Sequence, residues 1–444
     1  MNDRFDLAVI GGGINGVGIA RDAAGRGLKV FLCDKGDLAG ATSSASSKMI
    51  HGGLRYLEQY DFKLVRESLA ERAVLLRSAP HLVRPMRFVL PHAPGLRPRW
   101  MVRAGLFLYD HLGGAGALLG TESIRLGDDP RGAPLNGRSR HGFVYSDCIV
   151  DDARLTVAVA RDAAAHGAEI ATRTALVAAQ REAGAWRLTL SAGREIETRI
   201  LVNAAGPWAA EVQRLSGLRG GARLRLVKGS HIVVHRLYPG DHAYLLQNDD
   251  RRVVFVIPYE RDFTLIGTTD VPFDGDPDAA AIDDEETAYL LRAVGRWLSD
   301  PPGEGDIVWR YAGVRPLYDD GAGTASAVTR DYVFDLDTDG ATALSVFGGK
   351  LTTFRHLAEH ALDRLGIPGA WTANALLPQG REVGAELGDD DLRWFVEHEW
   401  AKTAEDVLWR RTKLGLQMPP GEAARISARM TAAAGLPAGQ TSGR

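Results

Sequence analysis

The 444-residue chain is 45% hydrophobic and 25% charged, which gives it enough apolar material for two or three domain cores and excludes a disordered polymer. A formal net charge of −3 gives no global reason to expect nucleic acid as a partner, so anion binding must come from local clusters. The two cysteines, Cys33 and Cys148, are too few for a disulfide framework, have no partners spaced for a metal, and fit a reducing compartment.

The N-terminal stretch MNDRFDLAVIGGG runs directly into an apolar strand pattern without a basic region ahead of it, so no secretory signal and a cytoplasmic body are expected. Residues 6–34 then read strand, tight turn, helix, strand: DLAVI, GGGING, VGIARDAAGRG, LKVFLCD. Gly11, Gly13 and Gly16 permit a sharp reversal and a close backbone approach to a pyrophosphate, which the helix N-terminus faces, with Gly12, Ile14 and Asn15 between them. Ala20 and Ala24 keep the helix slim, and Asp34 closes the second strand where it can accept ribose hydroxyls. This context predicts a dinucleotide, and an acid at position 34 disfavours a 2′-phosphate. The turn does not by itself separate FAD from NAD.

The run Thr42, Ser43, Ser44, Ala45, Ser46 and Ser47 offers hydroxyls and backbone amides to cofactor oxygens. Immediately after it, SSKMIHGGLRYLEQYDFKLV gathers Lys48, His51, Arg55 and Tyr56 around the pair Gly52 and Gly53. A helix follows over 62–77, with Val65, Leu69, Ala73 and Leu76 at helical spacing. The apolar stretch 100–120 is interrupted by Arg103, Asp110 and His111, so it cannot span a bilayer. Its Trp100, Leu106, Phe107, Leu108 and Tyr109, with Arg97, Arg99 and Arg103, suit either a membrane surface or a partly buried surface helix.

Residues 121–142 are polar and rich in Gly and Arg, hence expected as a loop. Strand patterns occupy 168–179 and 197–204, and LVNAAGPW ends the latter with Ala204, Ala205 and Gly206 before Trp208. SHIVVHRL, RRVVFVIPY and FTLIGTTD have the spacing of a separate antiparallel sheet. A last strand and helix, ALSVFGGKLTTFRHLAEHALDRLG, place Gly348, Gly349, Lys350, Leu351 and Thr352 ahead of a helix whose free N–H groups can point at a ligand. The expected architecture is α/β: a discontinuous Rossmann-like domain at 1–80, 145–220 and 310–370, a substrate or cap domain at 81–144 and 221–309, and a C-terminal helical segment at 385–432.

GATSSASSKMIHGGLRY resembles the segment after the second strand in the FAD-dependent, quinone-linked glycerol-3-phosphate dehydrogenases. The likeness continues through YSDCIVDDARL, LVNAAGPWA, VKGSHIVV, VIPY, IGTTD, GVRPL, TRDY, FGGKLTTFRHLAEHAL and DVLWRRTKLGL, in family order over nearly the whole chain. The resemblance implies non-covalent FAD, a fold of the glycine oxidase type, oxidation of glycerol 3-phosphate to dihydroxyacetone phosphate, and electron transfer to membrane quinone from the cytoplasmic face. Arg55 and Arg315 are the first choices for a phosphate, with Arg330 as an additional candidate; by resemblance Tyr56 and Lys350 complete the substrate site, and the Val177 backbone meets adenine.

The chemistry agrees with that set. A phosphate dianion needs fixed cations, for which the planar guanidinium is suited, and the hydroxyl proton needs an acceptor, for which His51 or a depressed Lys350 is available. Arg55 and Arg315 are equally readable as ordinary ion-pair residues. Two other functions remain open at this level: an oxidase of the glycine type, expecting a carboxylate substrate, and a flavin-binding protein without turnover. The chain departs from the family in one respect, because LLPQGREVGAELGDDDLRW joins the late domain to the last helices with little between. The apolar faces carrying Leu392, Phe395, Trp400 and Trp409 then need cover, either from a partner subunit in a homodimer or from the core itself.

Overall fold

The computed structural model describes residues 3–54, 57, 61–93, 97–112, 118–218, 224–250, 252–319, 331–419 and 421–433. In chain order its helices are α1 (Ile14–Gly25), α2 (Phe62–Ser78), α3 (Arg99–Leu112), α4 (Asp152–Ala165), α5 (Ala209–Ser216), α6 (Asp284–Gly295), α7 (Phe354–Arg364), α8 (Asp389–Glu399) and α9 (Glu422–Ala433).

Strand Asp3–Ile10 runs parallel to Val30–Cys33 on one side and to Glu195–Asn203 on the other, with Leu7 opposite both Val30 and Ile200. Thr342–Phe347 extends the parallel set beyond Glu195–Asn203. Three stretches far apart in sequence therefore build one sheet. Strand residues alternate between its faces: Leu7 and Val9 pack with Val17, Leu155 and Leu357 of α1, α4 and α7, while Ala8 and Ile10 pack with Trp186, Leu188 and Val212 on the other side. Burial on both faces explains the unbroken apolar runs that mark these strands in the sequence.

The second sheet has ten strands among the described residues, and α2 and α3 cover one face through Val65, Leu69, Leu106 and Tyr109. Leu290, Val294 and Trp297, on α6 and the turn after it, cover the other face. Its membership runs past the expected boundaries. Met49–Ile50, all of His141–Val150 and all of Ile307–Tyr318 belong to it, the last pairing with Leu224–His235 from Leu224 opposite Tyr318 to Val234 opposite Ile307. An apolar strand pattern says that a segment is buried, not which of two sheets takes it. The polar stretch 121–142 likewise contains a short strand, Glu122–Arg125, added to His141–Val150.

The C-terminal segment makes its own small core. Leu392, Phe395, Val407, Leu408, Ile426 and Met430 are buried together, and Trp409 stacks on Trp309 with ring centroids 4.3 Å apart. Trp400 packs against the first core. Of the two covers expected for these faces, the chain itself supplies one. Cys33 and Cys148 are free and buried, and burial pushes both thiols up to about 12, so neither offers a thiolate at neutral pH.

Candidate active site and cofactor cavity

The turn between the first strand and α1 closes because two positions carry no side chain. Gly11 has φ +118° and a Cβ there would press into the Ala204 carbonyl, while a Cβ at Gly16 would overlap the Gly11 carbonyl oxygen. The N-terminus of α1 consequently opens without a side-chain cap of its own, and Ser43 Oγ accepts from the Ile14 N–H at 2.9 Å. Asp34 sits beneath the turn, its two oxygens accepting from the N–H groups of Gly12 at 2.6 Å and Gly36 at 2.7 Å. Burial raises the Asp34 pKa, and these two N–H groups oppose the rise.

A cavity of about 690 Å³ extends from this turn to the second sheet, within the range of ligand sites. Gly11, Gly13, Ile14, Asn15, Asp34, Thr42, Ser43, Ser47, Ala204, Gly206, Trp208, Gly348, Gly349, Leu351 and Thr352 line it, as do His51, Arg315 and Lys350. Gly12, Gly16 and Ser44 are not among its lining residues. Val177 is 51% exposed and off the lining, and the residues just before it, Arg173 to Leu176, take that place. Arg55, Tyr56 and Arg330 lie outside the described residues.

Early and late segments are locked together at the cavity. Asn15 Nδ2 donates to the Gly348 carbonyl at 3.1 Å across 333 residues of sequence. The Thr352 hydroxyl lies 3.2 Å from the His51 backbone N–H and 3.3 Å from its carbonyl. His51 Nδ1 accepts from the Gly53 N–H at 3.0 Å, so the neutral ring carries its proton on Nε2 and presents a donor there. Lys48, the other cation of that cluster, is not part of the site: it is buried in an ion pair with Asp152 at 2.8 Å, in the first turn of α4.

The serine run is more engaged than its composition suggests. Thr42 donates to the Val314 carbonyl at 2.6 Å, Ser44 to the Ala41 carbonyl at 3.2 Å, and Ser47 lies 2.9 Å from His231 Nε2. The Thr42 and Ser47 bonds fasten the loop to the second sheet and the Ser44 bond closes a turn within the loop, while each hydroxyl retains acceptor capacity toward a ligand. Arg315 is held by Asp270 and Thr268, and its guanidinium lies where a side chain at Gly229 would have to pass.

Several lining residues escape a reading of the sequence. Arg252, Phe255, Thr268 and Asp270 come from the second sheet and its turns, Lys35 lies over the Trp208 ring at 3.8 Å, and Glu405 and Arg410 come from the C-terminal segment. The motifs IGTTD and DVLWRRTKLGL contain Thr268, Asp270 and Arg410, so a signal was present without an assignment. Two buried polar atoms on the lining, Asn15 Oδ1 and Arg173 Nη1, have no hydrogen-bond partner among the described residues. An acceptor in the first turn of α1 and a guanidinium donor on the loop whose backbone bonds to Asp34 and Gly36 fit a dinucleotide that brings both donors and acceptors.

Comparison with known families decides which dinucleotide. A family profile described as FAD dependent oxidoreductase matches residues 6–355. The chain is also 49% identical to a glycerol-3-phosphate dehydrogenase of Pseudomonas aeruginosa, over 95% of this chain and 94% of that one. The chain belongs to the FAD-dependent oxidoreductases, in the branch of the glycerol-3-phosphate dehydrogenases.

Its cofactor is accordingly FAD. Other relatives are the D-erythritol 1-phosphate dehydrogenase of Brucella abortus, 47% identical over 94% of this chain and 96% of that one, and the aerobic glycerol-3-phosphate dehydrogenase of Escherichia coli, 45% identical over 95% and 96%. The alignment with the Pseudomonas protein spans 484 positions, more than the 444 residues present, so that flavoprotein carries internal residues without a counterpart here. Among solved structures, the FAD complex of a Bacillus halodurans glycerol-3-phosphate dehydrogenase shares the fold, with a TM-score of 0.71 at 22% identity over 99% of this chain and 97% of that one. A glycine oxidase from Geobacillus kaustophilus shares it at a TM-score of 0.62 and 19% identity, over 86% of this chain and all of that one.

Proposed function

We propose that this flavoprotein oxidises glycerol 3-phosphate to dihydroxyacetone phosphate and passes the electrons to a membrane quinone. The observation that carries the reading is identity of 45–49%, over nearly the full length of both partners, to proteins named for that dehydrogenation. Bound FAD supplies the hydride acceptor for the carbinol carbon.

The chain's own residues supply the rest. Arg315 offers guanidinium donors to the phosphate, with Arg55, Tyr56 and Arg330 assigned to the same task on resemblance. Lys350, which also lines the cavity, adds a cation at the late loop. His51, in the tautomer set by Gly53, steadies the substrate oxygen from Nε2. The hydroxyl proton then passes to His51 Nδ1 once the Gly53 N–H lets go, or to Lys350 where neighbouring cations and burial hold its amine neutral.

No helix among the described residues is long and apolar enough to cross a membrane. Contact with a quinone pool is therefore assigned to α3, whose Trp100, Met101, Phe107 and Leu108 are exposed beside Arg99 and Arg103, at the inner face of the cytoplasmic membrane.

Anaerobic mixing of purified protein with glycerol 3-phosphate, followed by flavin absorbance, tests the substrate. Bleaching is expected with glycerol 3-phosphate and not with glycine or sarcosine. Faster bleaching by D-erythritol 1-phosphate would move the substrate to the longer polyol phosphate, and no bleaching by either would leave only a flavin-binding role.

A further inference from the structure

The ribose position implied by Asp34 is flanked by two loops, and both are gripped from the far end of the chain. The first loop follows Asp34 and carries Asp37, which is buried. Asp37 accepts from Arg410 Nε at 2.6 Å and from Arg411 Nη2 at 2.8 Å, with a further bond from Arg411 Nη1. The second loop carries Arg173, whose backbone N–H donates to the Gly36 carbonyl at 2.7 Å while the next N–H, of Thr174, donates to the Asp34 carbonyl at 2.7 Å. Arg173 Nη2 in turn donates to both oxygens of Asp406, at 2.8 and 2.7 Å.

Asp406, Arg410 and Arg411 lie on one turn of π-helix, so a single rigid element holds both loops. Asp406 is fully buried and also accepts from Arg410 and from the N–H groups of Lys402 at 2.7 Å and Thr403 at 2.9 Å. Arg411, itself buried, donates to the Glu399 carbonyl, and the buried Glu399 carboxylate accepts from Arg154 of α4. Asp37, Asp406 and Arg411 are buried and Arg173 is the more exposed end, so pulling the turn from the loops would strand buried carboxylates without their cations. Glu405, Arg410, Asp37 and Arg173 all line the cavity.

We infer that residues 399–413 form part of the wall around the adenosine half of FAD, and that cofactor binding and docking of this segment are thermodynamically coupled. Asp406 is a positioning residue: it sets Arg173 and Arg410 against the cofactor without lining the cavity. By linkage, whatever the docked segment adds to FAD affinity, bound FAD returns to the docking of the segment. The inference rests on the FAD dependence of the family and not on the identity of the substrate.

Apoprotein of Asp406→Asn and of the wild type is titrated with FAD and, separately, with ADP, which carries the adenosine half alone. The variant is expected to bind both at least tenfold more weakly, while the KM for glycerol 3-phosphate at saturating FAD stays within about twofold. A folded variant that binds FAD and ADP like the wild type overturns the inference. Should the variant not fold, hydrogen exchange on wild-type protein decides. Adding FAD is expected to slow the amides of 402–413 tenfold or more beyond any change in α6, which packs on the second sheet, and equal slowing in both segments overturns it.

Discussion

The Arg315 guanidinium donates to the Asp270 carboxylate at 2.9 Å on the wall of the cofactor cavity, and a second donor reaches the Thr268 hydroxyl at 3.1 Å. A guanidinium is a planar fork of N–H donors, so one carboxylate and one hydroxyl fix its orientation. Asp270 is thus the group that aims Arg315.

The consequence is measurable through the substrate concentration that half-saturates flavin reduction. Arg315→Ala should raise it by a factor corresponding to about 2–5 kcal/mol, the cost of leaving a desolvated phosphate without its cation. Asp270→Asn should raise it less, by about tenfold, because the guanidinium remains but swings. Unchanged half-saturation in both variants would reduce the pair to an ordinary ion pair.

His51 gives a sharper discrimination, since its Nδ1 is occupied by the Gly53 N–H. An Asn side chain reproduces the Nδ1 acceptor and loses the outer nitrogen, whereas Gln places a donor near the Nε2 position. Stopped-flow reduction should slow by about 10²-fold in His51→Asn, while His51→Gln stays within about tenfold of the wild type. Equal losses near 10²–10⁴-fold in both would mean that the imidazole itself takes the proton, which neither amide can do.

How much of this was visible in the sequence depends on the distance over which each feature is made. The dinucleotide turn is local: Gly11, Gly16 and Asp34 reveal strand, turn, helix and strand because each step constrains the next few residues. The late FGGKLTT loop reads equally well, and resemblance adds its partner. By contrast, Arg252, Phe255 and Asp270 reach the cavity through the second sheet, where periodicity reports burial but not which strand pairs with which. The bond from Arg411 to Asp37 spans 374 residues, and nothing local to either residue announces the other. The bonds of Thr42 and Ser44 to carbonyls are invisible for a related reason, since composition counts hydroxyls but does not show which carbonyl each one meets.

Stability should fall on the acid side of neutrality for an identifiable reason. Burial lowers His242 from 6.5 to about 4, with Arg131 adding to the effect, and burial beside Arg315 and Lys48 holds His231 well below its ordinary value. Both imidazoles are neutral in the folded chain at pH 6, whereas an unfolded chain binds protons there. Stability is therefore full above about pH 6.5 and declines as pH drops toward 4. Denaturant titrations at pH 7 and pH 5 should differ, with His242 contributing on the order of 2 kcal/mol. His242→Asn should reduce the difference by about His242's share and leave that of His231, and an unaltered slope would assign the acid sensitivity elsewhere.

The last expectation concerns α3. Trp100, Arg103, Ala104, Phe107 and Leu108 share one face at spacings of three and four residues, while Leu106 and Tyr109 turn inward. Tyr109 accepts from the Gly52 N–H at 2.7 Å and donates to Asp147 at 2.8 Å, so the inner face holds the loop that carries His51. The outer face pairs aromatics with cations, which suits anionic headgroups at about 1 kcal/mol per arginine. Replacing Arg99 and Arg103 together by Gln should therefore weaken partition onto vesicles rich in anionic lipid by about thirtyfold. Raised salt should produce a similar loss in the wild type, whereas Phe107→Ser should weaken binding without changing its salt dependence. Because neither arginine lines the cavity, bleaching by substrate in detergent-free solution should keep its rate in both variants. Vesicle binding that ignores all these changes would move the membrane contact off this helix.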